Sequence, residues 1–460
     1  MSFDLLDLMQ QRKGEKFQLF DRYLNSQLVR VLKTLGFDVD YVEGDGPHLI
    51  DAAGNRYLDL LSGFGVFALG RNHPTVIKAL HQVLDARLAG LVQMDVSLLA
   101  GLLGEQLVRR MPWTEKLFFC NSGAEAVEAA MKFARMATKR SKIVHCEHGF
   151  HGLTYGALSL VGDESFRQGF EPFVGACHAV PFNDLVALER ALRDRDVAAF
   201  IVEPIQGKGV NLPVDGYLAE AERLCRKHGT LFVADEIQTG MGRTGRFLAG
   251  EHWGIEPDMV LLAKALSGGF APIGAVACRR AVFDKVFDRM DKAVVHGSTF
   301  SKNDLAMAAG LATLAVFDEE KLVEQAAERG ERLIAGLRAG IGGSEFVRQV
   351  RGKGMMIAIE FGSPSSLKLK AAYALIEKAN RGLFCQLILL PLFKRHRILA
   401  QVAGHNMPVI KLLPSLIVSD ADCAWIETAF TEVMAESQSV GSFWDMGRML
   451  AQQAMKTKAG

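Results

Sequence analysis

Lys264 ends the apolar run DMVLLAK, and Asp235 with Glu236 ends TLFVADE. Charged groups at the ends of apolar strands need a chemical reason, because an unpaired buried carboxylate or ammonium is costly. A lysine drawn out of water loses proton affinity and becomes a nucleophilic amine. An aspartate in such a place asks for a cation. Two other stretches leave apolar runs in a similar way. FFCNSGAEAVEAAMKFAR turns through Asn121, Ser122, Gly123 and Ala124 into a helical pattern. Small residues there let backbone N–H groups approach an anion at the positive end of a helix. KIVHCEHGFHG passes through Gly149, Phe150, His151 and Gly152, where an aromatic flanked by glycines can lie flat on a planar ligand. Each stretch alone also has an ordinary reading: a capped helix, a core phenylalanine beside two surface histidines, a lysine whose stem packs while its tip reaches water. No carboxylate or cysteine stands at helical ligand spacing from the histidines, so no metal site is expected.

The elements that must position these residues follow from periodicity. LFFC, KIVHC, AAFIVEP, TLFVADE and DMVLLAK are short apolar strands alternating with helical stretches from about Val76 onward. That alternation predicts an α/β domain with a mostly parallel sheet, whose ligands collect at the carboxyl ends of the strands. Phe20, Leu24, Leu28, Val31, Leu32 and Leu35 predict an amphipathic helix near the start, and HLIDAAGNRYLDLLSG a hairpin. After about Leu322 a long charged helix, the strand MMIAIEF and a mixed end predict a smaller α/β domain. The expected division is an N-terminal segment 1–74 belonging to the small domain, a large domain 75–322 and a C-terminal small domain 323–460.

Composition excludes several classes. The chain has 460 residues, 49% hydrophobic, ample for a large core. Its net charge of +1 gives no reason to expect a nucleic-acid partner. Seven scattered cysteines without a CxxC pair fit thiols in a reducing compartment. No signal peptide or spanning apolar window is read, so a cytoplasmic protein is expected.

Together the strand-end lysine, the strand-end aspartate, the anion cup and the flat aromatic describe one cofactor. Pyridoxal 5'-phosphate (PLP) needs a lysine for a Schiff base, a carboxylate to keep its ring nitrogen protonated and donors for its phosphate. The pyridinium N–H is then the cation that Asp235 requires.

With NSGAEA, GFHG, VEPIQG, DEIQTGMGRTG, LLAKALSGG, HGSTF and RGKGMMIAIEF in this order, the chain from Tyr41 to Asp420 resembles the class III PLP-dependent aminotransferases. This fold-type I group contains ornithine, acetylornithine, putrescine and 4-aminobutyrate transaminases. The resemblance implies that Lys264 forms the Schiff base and shuttles the proton, and that Asp235 meets the ring nitrogen. It implies that Ile237 and Phe150 cover the two ring faces and that Gln238 sits near the phenolic oxygen. Ser122, Gly123 and Ala124 would bind phosphate. Ser298 and Thr299, in HGSTF, would bind cofactor, Thr299 at the neighbouring subunit's phosphate, so a homodimer with shared sites is implied. Glu203 would support the site, and Arg243 and Arg246 would hold their loop.

Two departures concern substrate. Many relatives carry EPIQGE and a later arginine that together manage a substrate carboxylate. This chain has Lys208 and Lys411 at those places, and lysine lacks the planar two-donor fork, so a substrate carboxylate is expected to bind through Lys411, Lys208 or another arginine. Phe64 and Phe67, in SGFGVFALG, would make the substrate mouth apolar. The run Leu387 to Phe393 before Lys394–Arg397, and the C-terminal Phe443, Trp444, Met446, Met449, Leu450 and Met455, read either as core or as an apolar entrance with a basic rim at a membrane surface. The whole chain also looks like aminotransferases of bacterial hopanoid pathways. The expected acceptor is then an apolar or lipid-linked aldehyde, with an amino acid such as glutamate as donor. An ornithine- or diamine-type transaminase and an aminomutase are the alternative reactions; a binding protein that retains the fold is the alternative class.

Overall fold

The computed structural model describes residues 3–92, 94–379, 383–437 and 441. The strand-forming runs assemble into a seven-stranded sheet. Its order is Lys116–Cys120, Gly274–Cys278, Met259–Leu262, Leu231–Asp235, Val197–Val202, Lys142–Cys146 and Cys177–Val180. Neighbours from Met259–Leu262 to Cys177–Val180 are parallel, while Gly274–Cys278 is antiparallel to both its neighbours. The five strands expected from sequence are all in it. The two others carry weaker signals: Cys177–Val180 exposes two of its four residues, and GAVAC has small side chains.

All six residues of Val197–Val202 are buried, as a central parallel strand requires. Alternate side chains serve opposite faces. Ile201 and Val233 pack with Ala126 and Phe133 of the helix Gly123–Thr138, whereas Phe200 and Phe232 pack with Tyr217, Leu218 and Leu224 of the helix Tyr217–His228. Truncating Phe200 to alanine would cost about 3–5 kcal/mol, because the packed layers on both sides limit collapse.

Two four-stranded sheets complete the fold. Tyr41–Asp45, His48–Asp51 and Arg56–Asp59 run antiparallel, and Ile398–Leu399 pairs in parallel with the last of them. The chain's beginning is thus stitched to its C-terminal part. Val347–Lys353, Met356–Phe361, Val409–Leu412 and Gln401–Val402 form the other sheet, which carries Lys411.

Two expectations need correction. The pattern from Phe20 to Leu35 is two helices, Lys16–Tyr23 and Ser26–Leu35. The break falls at Asn25, whose side chain accepts the Leu28 N–H at 3.0 Å and so caps the second helix. The run Leu387 to Phe393 is core rather than an entrance, and it is helical: it lies in the helix Leu383–Lys394 and every residue of it is buried. Two of the four basic residues after it are engaged as well. Arg395 forks onto Glu436 at 2.8 and 2.5 Å, and His396 faces Glu432 at 3.8 Å. The second half of that reading, Phe443 to Met455, lies outside the described residues. Among the described residues no helix is long and apolar enough to cross a membrane.

Candidate active site

The carboxyl ends of the parallel strands open into a cavity of about 1150 Å³. Each strand delivers its residue to the same rim: Asn121 and Ser122 after Lys116–Cys120, Phe150 and His151 after Lys142–Cys146, Glu203 after Val197–Val202, Asp235 itself, and Lys264 after Met259–Leu262.

Adjacent carboxylates Asp235 and Glu236 point to different tasks. Glu236 turns away from the cavity and accepts hydrogen bonds from the Thr239 hydroxyl and from the N–H groups of Ala249 (3.0 Å) and Gly250 (2.7 Å). Burial still pushes its pKa up, to about 7. Asp235 lines the cavity and is buried; Oδ1 accepts the Ile237 N–H at 3.1 Å, and Oδ2 lies 2.7 Å from Nδ1 of His151. His151 is itself buried. Burial works against its charged form, but the hydrogen bond and charge of Asp235, with Glu203, raise its pKa. The reading of His151 as a surface residue is therefore wrong. Its partner is distant in sequence, and the available hint was its place two residues after a strand-end turn.

Lys264 takes φ +44°, a left-handed conformation uncommon outside glycine, as it leaves its strand. Burial lowers its pKa, against the pull of Asp235 and Glu203. Glu203 accepts the N–H groups of Phe150 (3.0 Å) and Gly207 (2.9 Å), tying two loops together; burial raises its own pKa.

The anion cup is a helix start. Ser122 caps Gly123–Thr138 by accepting the Glu125 N–H at 3.1 Å, and Glu125 accepts the Asn121 N–H at 2.9 Å. A Cβ on Gly123 would stand 2.9 Å from Ile237 Cδ1, so only glycine lets the helix start lie this close to Ile237. Asn121 Nδ2 also donates to Ser298 Oγ at 2.6 Å. Thr299, next to it, is exposed and does not line this cavity.

At the outer wall, Phe64 lines the cavity, and its carbonyl accepts from Gln238 Nε2 at 3.1 Å. Phe67 does not line it. Its ring lies 4.3 Å from the Arg71 guanidinium, which is held 2.7 Å from Asp59, so Phe67 is committed to that packing. Lys411 donates to Gly207 O (2.8 Å) and Gln238 Oε1 (3.2 Å). Burial, with nearby Lys264, pulls its pKa down to about 7. Lys208 meets Asp163 at 2.6 Å. Burial alone would raise the Asp163 pKa, but hydrogen bonds from Lys208 and Ser165 bring it down to about 2. Arg243, as expected, holds its loop by donating to the carbonyls of Met355 and Pro414. Leu35, Val66, Leu153, Phe166, Leu383 and Val402 also line the cavity and were not foreseen. They come from separate parts of the chain, and none carries a motif.

The donor set fits PLP: an amine, a buried carboxylate backed by an imidazole, a helix N-terminus without side-chain obstruction, and Phe150 and Ile237 on the cavity wall. Residues 33–434 match the family described as aminotransferase class-III. The chain belongs to that family. This aminotransferase is 39% identical over 388 residues to acetylornithine aminotransferase from Bacillus cereus, covering 84% of this chain and 92% of that protein. It is 33% identical over 450 residues to aminotransferase PigE from a Serratia species, covering 91% of this chain and 53% of PigE, so it spans about half of that relative's length. The ornithine aminotransferase structure from Toxoplasma gondii superposes with a TM-score of 0.82 at 29% identity, covering 95% of this chain and 99% of that one. The protein is a PLP-dependent aminotransferase of fold-type I.

Proposed function

We propose that this aminotransferase carries an amino group from an amino-acid donor, glutamate first, to an aldehyde with an apolar body, lipid-linked aldehydes of the hopanoid type included. The cavity wall supports this reading. Leu35, Phe64, Val66, Leu153, Phe166 and Val402 line it, and no arginine is among the described residues that do. Such a wall gains from apolar surface, at roughly 25 cal/mol per Å², and offers no planar fork to a carboxylate.

When bound, PLP supplies an electron sink for the electrons left behind as a proton leaves the substrate carbon. In this reading the chain's own residues do the rest. Lys264 Nζ holds the cofactor and moves the proton between the substrate carbon and the cofactor carbon; burial lowers its pKa and so favours the neutral, proton-accepting amine. Asp235 keeps the ring nitrogen protonated, with His151 behind it. Phe150 and Ile237 cover the ring faces, Gln238 faces the phenolic oxygen, and Ser122, Gly123 and Ala124 take the phosphate. Ser298 steadies that cup through Asn121, and Glu203 fixes the Phe150 loop. Thr299 reaches the site of a second copy, so the working unit is a homodimer with shared sites.

The test is absorbance of the purified holoenzyme through both half-reactions. Amino acids and diamines serve as donors; long-chain aldehydes and small semialdehydes serve as acceptors. Faster turnover of long-chain aldehydes than of small semialdehydes is expected. Efficient use of ornithine or acetylornithine, with no activity on any apolar aldehyde, overturns the reading in favour of the activities named for its relatives.

A further inference from the structure

We propose that Lys208 anchors a carboxylate of the amino donor and that Asp163 is the counter-ion it exchanges for that carboxylate. The inference rests on the reading that the donor is an amino acid. Among the described residues five side chains lining the cavity can carry positive charge: Lys264, His151, Lys411, Lys208 and His405. His151 is committed to Asp235 at 2.7 Å. Lys264 is committed to the cofactor. Lys411 has two hydrogen bonds, to Gly207 O and Gln238 Oε1, that tie the loop after Val197–Val202 to the loop after Leu231–Asp235. His405 is exposed.

Lys208 differs in each respect. Its side chain is 10% exposed, and among the described residues its acidic partner is Asp163 at 2.6 Å. Nζ lies 4.2 Å from the Phe166 ring centroid and 5.6 Å from that of Phe150, so it sits beside the wall where substrate must lie. A buried ammonium needs an anion at all times. Asp163 supplies one while a neutral substrate occupies the cavity, and a donor carboxylate supplies it instead when an amino acid enters. Asp163 is not left bare by the exchange. It keeps the Ser165 N–H at 3.0 Å and the Ser165 hydroxyl at 2.7 Å, and its side chain is 21% exposed to water. Phe166, on the same short segment as Asp163, faces the Phe150 ring edge-on at 5.6 Å and offers apolar surface in either state. One cavity thereby accepts a charged donor and an uncharged acceptor in turn.

The experiment measures binding to the holoenzyme by calorimetry, with glutarate as an unreactive dicarboxylate and glutaramide as its neutral counterpart. Lys208→Met should weaken glutarate by about tenfold or more relative to glutaramide, and Lys208→Arg should restore most of the loss. Asp163→Asn should tighten glutarate, because the lysine is then free of its competitor. Equal losses of glutarate and glutaramide in Lys208→Met would show that Lys208 only shapes the wall and would overturn the assignment. Glutarate binding that is unchanged or weaker in Asp163→Asn would overturn the exchange. No aldehyde enters the measurement, so failure of the acceptor reading and failure of this one are separate results.

Discussion

Nδ1 of His151 lies 2.7 Å from Oδ2 of Asp235, and both side chains are buried. In the proposed site the imidazole is a second, protein-supplied partner for the carboxylate that would face the cofactor ring. It holds Asp235 in place by a direct hydrogen bond. Asp235→Asn should keep the fold yet lose most activity, since a neutral amide cannot hold a ring nitrogen protonated. His151→Ala should spare the charge but loosen the carboxylate. Losing a hydrogen bond to a charged group costs about 1.5–3 kcal/mol, so PLP retention should fall by roughly tenfold or more. Cofactor titration of each refolded apoenzyme checks both; unchanged PLP affinity in His151→Ala would remove its supporting role.

Lys264→Ala should abolish turnover and the visible absorbance of lysine-bound cofactor. Among the described residues Lys411 and Lys208 are the other buried amines lining the cavity, but Lys411 bonds Gly207 and Gln238 and Lys208 pairs with Asp163, which holds both in other tasks. A folded Lys264→Ala protein with normal colour and activity would transfer the cofactor-holding role elsewhere.

The catalytic rim was legible because it depends on strand ends, and strand ends show in the sequence as apolar runs closed by a polar residue. Asp235, Lys264 and the Ser122 cup all have that form. His151 was not legible, since only the tertiary approach of two strand ends distinguishes it from a surface histidine. Phe67 failed for a related reason: its neighbour Phe64 lines the cavity, while Phe67 packs on Arg71, and the stretch around Phe64 has positive φ at Ser62, Gly63, Phe64 and Gly65 that no simple period describes. Leu387 to Phe393 was ambiguous because a continuous apolar run fits a buried helix as well as a strand or an entrance.

Lys411 makes stability depend on pH. Its pKa falls from 10.5 to about 7 on folding. Between these values the unfolded chain binds more protons than the folded one, so this group makes stability rise with pH from about 7 towards 10. Below about pH 7 the folded state carries a buried ammonium and that gain is absent. The slope has a ceiling of about 1.4 kcal/mol per pH unit for one proton. Thermal unfolding of cofactor-free wild type and Lys411→Met across pH 6.5 to 9.5, roughly bracketing this window, should show the wild type gaining on the variant as pH rises. Parallel profiles would refute the shifted lysine.

Thr299 is exposed although its neighbour Ser298 bonds Asn121 at the cup. Around it Val294 is 90% exposed and Phe300 61%, an apolar surface that water serves poorly. Exposure at Thr299 is what a hydroxyl intended for another chain's phosphate would show in a lone protomer. Removing one hydrogen bond to phosphate should cost about 1–3 kcal/mol of PLP binding, so Thr299→Ala should raise the PLP dissociation constant by roughly tenfold. The decisive arrangement is a mixed dimer of one Lys264→Ala chain and one Thr299→Ala chain. If Thr299 acts across the interface, the surviving Lys264 belongs to the Thr299→Ala chain and receives an intact Thr299 from its partner. That site should bind PLP as tightly as wild type. If Thr299 acts within its own chain, the same site carries the defect, and weak PLP binding in the mixed dimer would overturn the shared-site reading.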